Sequence, residues 1–217
     1  MQFPDSEILV MARAPEAGRA KTRLIPALGE EGAAMLHGFL LEHLLGKLSQ
    51  AVIAPLTLCC TPDTEHPFFL HCRDRYGVRL QQQYGDGLGE RLHNALSTSL
   101  ESSKHVVVIG CDIPQLVADD LIAAFEALER GIQSVISPTE DGGYALLGIA
   151  EPAARLFSDI DWGSEQVMVQ TRQQLSAMDW SWSELKQQWD VDRPEDLQRL
   201  VSLELSPKIK ELLSTKC

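Results

Sequence analysis

Positive charge is in short supply in this chain. Its 217 residues carry 19 Lys and Arg against 31 Asp and Glu, a formal net charge of −12. Such a field repels a phosphate backbone, which argues against a nucleic-acid surface. Long apolar runs are missing too. Nothing approaches the ~20 residues needed to span a bilayer, and Pro4, Asp5 and Glu7 interrupt the start, where a secretory leader would be apolar. Cysteine is sparse and poorly placed for cross-links. Cys59, Cys60, Cys72, Cys111 and Cys217 form an odd set, with two adjacent members and no Cys-x-x-Cys, so reduced thiols are expected rather than a disulfide framework. A zinc set drawn from Cys59, Cys60, His66, His71 and Cys72 fits no standard closed spacing. A Walker loop, Gly-x-x-x-x-Gly-Lys-Ser/Thr, is absent as well. The expectation is a soluble, cytoplasmic protein folded as one domain over residues 1–217.

What is present is an alternation of strand-like and helix-like segments, the mark of a mainly parallel α/β sheet covered on both faces. Strands are expected over residues 7–13, 56–61, 78–82, up to Asp112, and over 134–137. A long helix should run from about Gly29 to Ser49, because Ala33, Leu36, Phe39, Leu40, Leu44 and Leu48 recur at helical spacing. Further helices carry Leu92, Ala95, Leu96 and Leu100, then Leu121, Ile122, Phe125 and Leu128. After Pro138 the rhythm changes. Asp141-Gly142-Gly143 signals a tight turn and residues 144–149 a short strand, which predicts a small antiparallel hairpin, as an insertion in the otherwise parallel sheet or at its edge. The remainder should be mostly helical from Pro152, broken near Trp180 and Trp189, with helices over 195–203 and at the tail.

The richest stretch for function is Val106-Val107-Val108-Ile109-Gly110-Cys111-Asp112-Ile113-Pro114. A run of β-branched residues ends at an acid, and a proline forbids continuation. A buried strand thus delivers Asp112 to the rim of the sheet, where open α/β folds bind ligands. A turn-capping aspartate is the plainer alternative. Within the chain's acidic background, Arg13, Arg19, Lys21 and Arg23 crowd a loop after the first strand, in which Gly18 lets the backbone turn and Pro15 stiffens it. Lys21 offers a point charge and Arg23 a planar fork, both suited to phosphate oxygens.

Three further groups bear on chemistry. Gly85-Asp86-Gly87-Leu88-Gly89 lacks the dinucleotide spacing, since Glu90 sits where a third glycine should fall, but it reads as a strand-to-helix turn whose amides lie near a ligand. Asp190 or Asp192 could join Asp112 on Mg²⁺ or Mn²⁺, which use one or two carboxylates plus phosphate oxygens; for Asp192 an N-cap ahead of Pro194 competes. Asp141, Gly142, Gly143 and Tyr144 could hold an acceptor or sugar. Of the tryptophans, Trp162 is the best placed to stack on a ring, because Gly163 and Ser164 set it at a helix start.

In order along the chain, Arg13-Ala14-Pro15-x-x-Gly18-x-x-Lys21-Thr22-Arg23-Leu24, Gly85-Asp86-Gly87-Leu88-Gly89-Glu90-Arg91-Leu92, Gly110-Cys111-Asp112-Ile113-Pro114, Pro138-x-x-Asp141-Gly142-Gly143-Tyr144-x-Leu146-x-Gly148, Trp162 and Asp190-Val191-Asp192-x-Pro194-x-Asp196-Leu197 resemble the bacterial DUF2064 proteins. Those are classed with the nucleotide-diphospho-sugar transferases of GT-A-like, Rossmann-like fold. The resemblance implies a divalent metal on Asp112, completed by Asp190 or Asp192, with Lys21, Arg23, Arg13, Gly18, Gly87 and Gly89 about the nucleotide. The implied partners are a nucleotide sugar or nucleoside triphosphate and a small-molecule acceptor, with Asp141 as a candidate base. Two departures pull in opposite directions. Gly110 and Cys111 precede a single Asp112 where many glycosyltransferases carry Asp-x-Asp, and Ala14-Pro15 stand where nucleotidyltransferases carry Gly-x-Gly. Glycosyl transfer leads; nucleotidyl transfer, of the phospholactate guanylyltransferase or molybdenum cofactor type, and a silent nucleotide-binding module remain open.

Overall fold

The computed structural model describes residues 1–203, 205 and 207–216; Cys217, the last of the five thiols, lies outside them. In chain order the elements are β1 (Ser6–Arg13), α1 (Ile25–Ala51), β2 (Leu56–Thr61), α2 (Pro67–Tyr76), β3 (Arg79–Gln82), α3 (Leu88–Leu100), β4 (His105–Gly110) and α4 (Ala118–Glu129). There follow β5 (Ser134–Pro138), β6 (Tyr144–Ile149), α5 (Val167–Ala177), β7 (Trp182–Glu184), α6 (Pro194–Val201) and α7 (Pro207–Lys216). They form one seven-stranded sheet in the order β3-β2-β1-β4-β6-β5-β7. All pairings are parallel except those of β6, which runs antiparallel to both β4 and β5.

The strands are apolar on both sides because helices cover both faces. Along β1 the alternation is direct: Ile8 and Val10 pack with Leu41 and Leu45 of α1, Phe69 of α2 and Phe125 of α4. Leu9 points the other way, into a cluster with Leu92 and Leu96 of α3 and Met168 and Leu175 of α5. In β4 the residues Val106, Val107, Val108 and Ile109 are each at most 2% exposed. Each contributes about 1.5–3 kcal/mol of burial, enough to pin the strand's register. A third cluster joins Leu28, Leu36 and Leu40 of α1 to Leu197 and Leu200 of α6 and Ile209 and Leu213 of α7, so the chain's last helices fold back over the first.

Two elements differ from expectation. Helix α1 starts before Gly29, but Gly29 itself has φ +74° and kinks the helix, so the predicted start is the beginning of its longer arm. Helix α2 falls in a stretch where the sequence suggested no element. Its stripe is too short to stand out, with only Phe69 and Cys72 buried, yet a crossover between parallel β2 and β3 demands it. The predicted hairpin forms as β5 and β6, turned so that β6 lies inside against β4 and the three-residue β7 takes the edge. That turn matters for function. Because β6 runs backwards, with Ile109 opposite Leu146 and Pro138 opposite Tyr144, the loop from Thr139 to Gly143 emerges at the same rim as the end of β4.

Candidate active site

Strand β1 ends at Arg13, and the chain turns through Gly18 at φ +75° before Lys21, a non-glycine residue in the left-handed region at φ 50°, ψ 46°. The buried methyls of Ala14 and Ala20 hold the loop's inner side, and Ala20 N–H donates to the Glu16 carbonyl at 3.1 Å. A left-handed lysine costs of order 1–3 kcal/mol and persists only where its surroundings dictate it. Here they do. The Lys21 side chain is only 7% exposed, and its ammonium donates to Asp112 Oδ2 at 2.5 Å and lies 3.9 Å from Asp192 Oδ1. Arg23 reaches the other oxygen of Asp192. Burial by itself would push the Lys21 ammonium down, but the Asp112 carboxylate outweighs it and holds the pKa above the ordinary lysine value. Burial likewise opposes ionisation of Asp112, and the charge and hydrogen bond of Lys21 win, so its carboxyl stays below the usual carboxylate range.

Asp112 lies just beyond β4, and a Cβ at Gly110 would stand 3.1 Å from Asp112 Oδ1. A side chain at position 110 would press on the Asp112 carboxylate, which would have to shift by a few tenths of an ångström. The segment from Asp190 to Asp192 is tied to the same rim, since Val191 N–H donates to the Asp112 carbonyl at 3.1 Å. Asp192 does not cap α6. That work falls to Asp196, whose Oδ2 accepts from the backbone N–H of Arg193 at 2.7 Å and of Asp192 at 3.0 Å. The Asp192 carboxylate is thereby left for Arg23 and Lys21. Asp190 is pushed up to about 6 by burial and then by the negative charges of Asp112 and Asp141. Burial is the larger cause, and the neighbouring acids add a local shortage of positive charge.

That shortage bears on metal binding. Among the described residues no group of three or more His, Cys, Asp or Glu side chains is arranged to hold an ion. Asp112 and Asp190 nonetheless suit a hard divalent cation that keeps most of its shell for phosphate oxygens. The crowding of acids at Asp190 is the observation that favours such a cation.

Beside these groups opens a cavity of about 760 Å³. The α3 side of its wall is Leu88 with Met11, Leu92, Tyr144 and Trp162, the last four packed in one cluster, and the α6 side is Arg23 paired with Asp192, then Arg193 and Arg199; Asp141 and Asp190 also face it. The 139–143 loop is rigidly built: Asp141 Oδ1 accepts from Thr139 Oγ1 at 2.5 Å and from Gly143 N–H at 3.1 Å. Gly142, at φ +89°, lies so close to the next loop that a Cβ would come within 2.3 Å of the Glu165 carbonyl oxygen.

The structure thus brings Lys21, Arg23, Asp112, Asp190 and Asp192 together, with Asp141 in electrostatic reach of Asp190. It does not gather every expected residue there. The Arg13 side chain is exposed and joins none of these pairs, while its carbonyl accepts from the buried His37 at 2.9 Å. Gly18 faces the Glu30 carboxylate. Gly87 begins α3 in an extended conformation with open space above it. At Gly89 a Cβ would meet Trp162 Nε1 at 2.5 Å, so that face is taken by an indole. The sequence reading missed His37, which is buried with its pKa lowered chiefly by desolvation. It also missed Arg193 and Arg199 as parts of the cavity wall. His37 was hidden in a leucine-rich helix face, and the others were single charges in polar segments.

The model of a family described as an uncharacterized protein conserved in bacteria, DUF2064, matches residues 44–164. The chain belongs to that family. No curated protein matches its sequence. Among solved structures it is similar to a candidate nucleotide-diphospho-sugar transferase from Desulfovibrio desulfuricans G20, with 27% identity, a TM-score of 0.86, and coverage of 98% of this chain and 95% of that one. More distant is the 4-diphosphocytidyl-2C-methyl-D-erythritol synthase of Anaerococcus prevotii DSM 20548, with 13% identity, a TM-score of 0.60, and 89% and 94% coverage. The glucosyl-3-phosphoglycerate synthase of Mycobacterium tuberculosis, in complex with Mn²⁺, UDP and glucosyl-3-phosphoglycerate, gives 14% identity, a TM-score of 0.55, and 99% and 80% coverage. At such identities these last two establish a shared fold, which hosts both sugar transfer and cytidylyl transfer.

Proposed function

We propose that this DUF2064 protein is a metal-dependent transferase acting on a nucleotide-activated donor, and that it moves a glycosyl group from a nucleotide-diphospho-sugar. The observation that carries this reading is the meeting of Asp112 with Lys21 and of Asp192 with Arg23 at the rim, beside Asp190 and the open cavity. Lys21 and Arg23 would turn from their carboxylates toward the donor's phosphates, and Arg13 and Gly18 frame the entrance of that loop. The open turn at Gly87 would border the ribose, while Gly89 makes room for Trp162. Asp112 and Asp190, with Asp192, would hold Mg²⁺ or Mn²⁺, which supplies positive charge to the leaving diphosphate. Asp141, fixed by Thr139 and Gly143, would accept the proton of the attacking hydroxyl, and Tyr144, Trp162, Gly142 and Gly143 would border the acceptor. The Mn²⁺ and UDP bound by the mycobacterial synthase support this reading of the shared fold.

Nucleotidyl transfer is the second reading, favoured by Gly110 in place of a first aspartate and by the likeness to the cytidylyl-type synthase. A thermal-shift screen of nucleoside diphosphates, their sugars and nucleoside triphosphates, each with and without Mn²⁺, tests the common core, because a ligand held by the native state raises the melting point. No metal-dependent stabilisation by any of them would overturn both readings. With the best donor, release of nucleoside diphosphate means glycosyl transfer, release of pyrophosphate means nucleotidyl transfer, and binding without either means a nucleotide-sensing module.

A further inference from the structure

The two ends of the cavity are chemically unlike. At the α6 end lie all three guanidiniums that line it. Arg23 is held by Asp192, Arg199 is bidentate to Glu140 at 2.8 and 2.9 Å and lies 4.1 Å from the centre of the Trp189 ring, and Arg193 stands at the start of α6. At the α3 end the wall is Met11, Leu88, Leu92, Tyr144 and Trp162, and the two loops beside it carry Asp141 and Glu165, both acids. Leu88 is 48% exposed there, one helical turn from Leu92 on the same face of α3. An exposed leucine lining a concave wall offers apolar surface that a ligand's apolar face can remove from water.

Trp162 is positioned in advance. Its indole edge rests on Gly89, where any side chain would collide with it, and Tyr144 meets it edge-on at 80° with ring centroids 6.3 Å apart. The loop that carries it is held against Gly142, whose backbone approach to Glu165 admits no Cβ, and Met168 N–H donates to the Gly142 carbonyl at 2.8 Å. A ring that does not have to be ordered on binding gives more of its contact energy to affinity.

We infer that the α3 end is a subsite for a neutral, hydroxyl-bearing ring compound, with its apolar face on Trp162, Leu88 and Met11, and not for a phosphorylated or carboxylated acceptor. As the acceptor's place this rests on the transferase reading above. An anion at this end would meet Asp141 and Glu165, and the lining cation in electrostatic reach of Asp141, Arg23, is already paired with Asp192.

The probe is phenyl β-D-glucopyranoside, titrated into the protein with tryptophan fluorescence and ligand-observed NMR as readouts. Phenyl phosphate serves as the charged match, while methyl β-D-glucopyranoside and phenol show which ring is held. The phenyl glucoside should bind saturably, and phenyl phosphate at least about tenfold more weakly. Trp162→Ala should weaken the phenyl glucoside by about tenfold or more. Leu88→Ser, at an exposed position that leaves the fold undisturbed, should weaken it in the same direction. Equal or tighter binding of phenyl phosphate, no saturable binding of any probe, or unchanged affinity in both variants would overturn the subsite. Thermal shift with UDP and Mn²⁺ on the same samples separates the two claims. Failure there with retained glucoside binding would break the transferase reading and leave the ring-binding subsite intact.

Discussion

Glu7 and Asp112 are carboxylates delivered by two neighbouring strands to opposite edges of one sheet. At the amino edge Glu7 is 4% exposed. Its Oε1 accepts from Thr57 Oγ1 at 2.5 Å and from the Arg79 guanidinium at 2.6 Å, and its Oε2 takes the Ser103 hydroxyl at 3.5 Å. Donors from two strands and from the loop ahead of β4 meet this one acid. At the carboxyl rim Asp112 has Lys21 alone as a side-chain partner among the described residues, and within electrostatic reach stands Asp190, already loaded with unfavourable negative charge. Buried charge that is fully paired secures a fold. Charge left in imbalance beside a cavity marks a place built for something outside the chain.

The contrast can be broken most forcefully at Asp112. Asp112→Asn should reduce Mn²⁺-dependent nucleotide binding by about 100-fold or more, equivalent to about 2.7 kcal/mol, measured by calorimetry. It also strands the Lys21 ammonium, so the melting midpoint should fall by the equivalent of about 2–3 kcal/mol, the low end for a broken buried pair because Asp112 retains some solvent. Glu7→Gln is the matched control. It should cost about 1.5–3 kcal/mol in urea unfolding by weakening charge-assisted bonds, while nucleotide binding stays as in the parent protein. If it weakened binding as much as Asp112→Asn, the separation of the two edges would be lost.

Smaller effects sharpen the picture. Gly89→Ala should cost about 1–3 kcal/mol by driving a methyl into the Trp162 indole, and should lower the affinity for ring compounds more than for nucleotides. Asp190 tests the imbalance itself. Its pKa of about 6 in the fold lies above the ~3.9 of an unfolded aspartate, so folding favours the protonated form. That contribution is complete below about pH 4 and is lost as pH rises through about 6. Asp190→Asn should therefore stabilise the ligand-free protein at pH 7 by about 1–2 kcal/mol, after allowance for its partial exposure, with the gain shrinking towards pH 4. Urea melts across that range check it. The same variant should bind Mn²⁺ and nucleotide less well, a stability gain at the expense of function.

Much of this site was legible in the residues. Val106 to Ile109 could be read as a buried strand because four consecutive β-branched residues end at Gly110 with a proline soon after, and so the place of Asp112 followed. The cluster from Arg13 to Arg23 stood out because the rest of the chain is acidic. Gly89 was misleading: a glycine in a turn ahead of a helix looks like a phosphate cradle, whereas its missing side chain makes room for Trp162. Asp192 looked like a helix cap until Asp196 was seen to hold those amides. A cap and a ligand share one residue type, and only the competing acid's geometry tells them apart.

Local chemistry in the sequence set the α/β architecture, the rim position of Asp112 and the cationic loop, since period, turn residues and charge contrast act over a few residues and leave their trace in the string. The tertiary structure alone decided that β6 reverses inside the sheet and brings Asp141 to that rim. It also decided that a left-handed Lys21 reaches Asp112 across 91 positions, and that Arg23 meets Asp192 across 169. Those pairings depend on which strands neighbour one another and on how the last helices pack back over α1, a matter of shared burial between distant segments that no local pattern encodes.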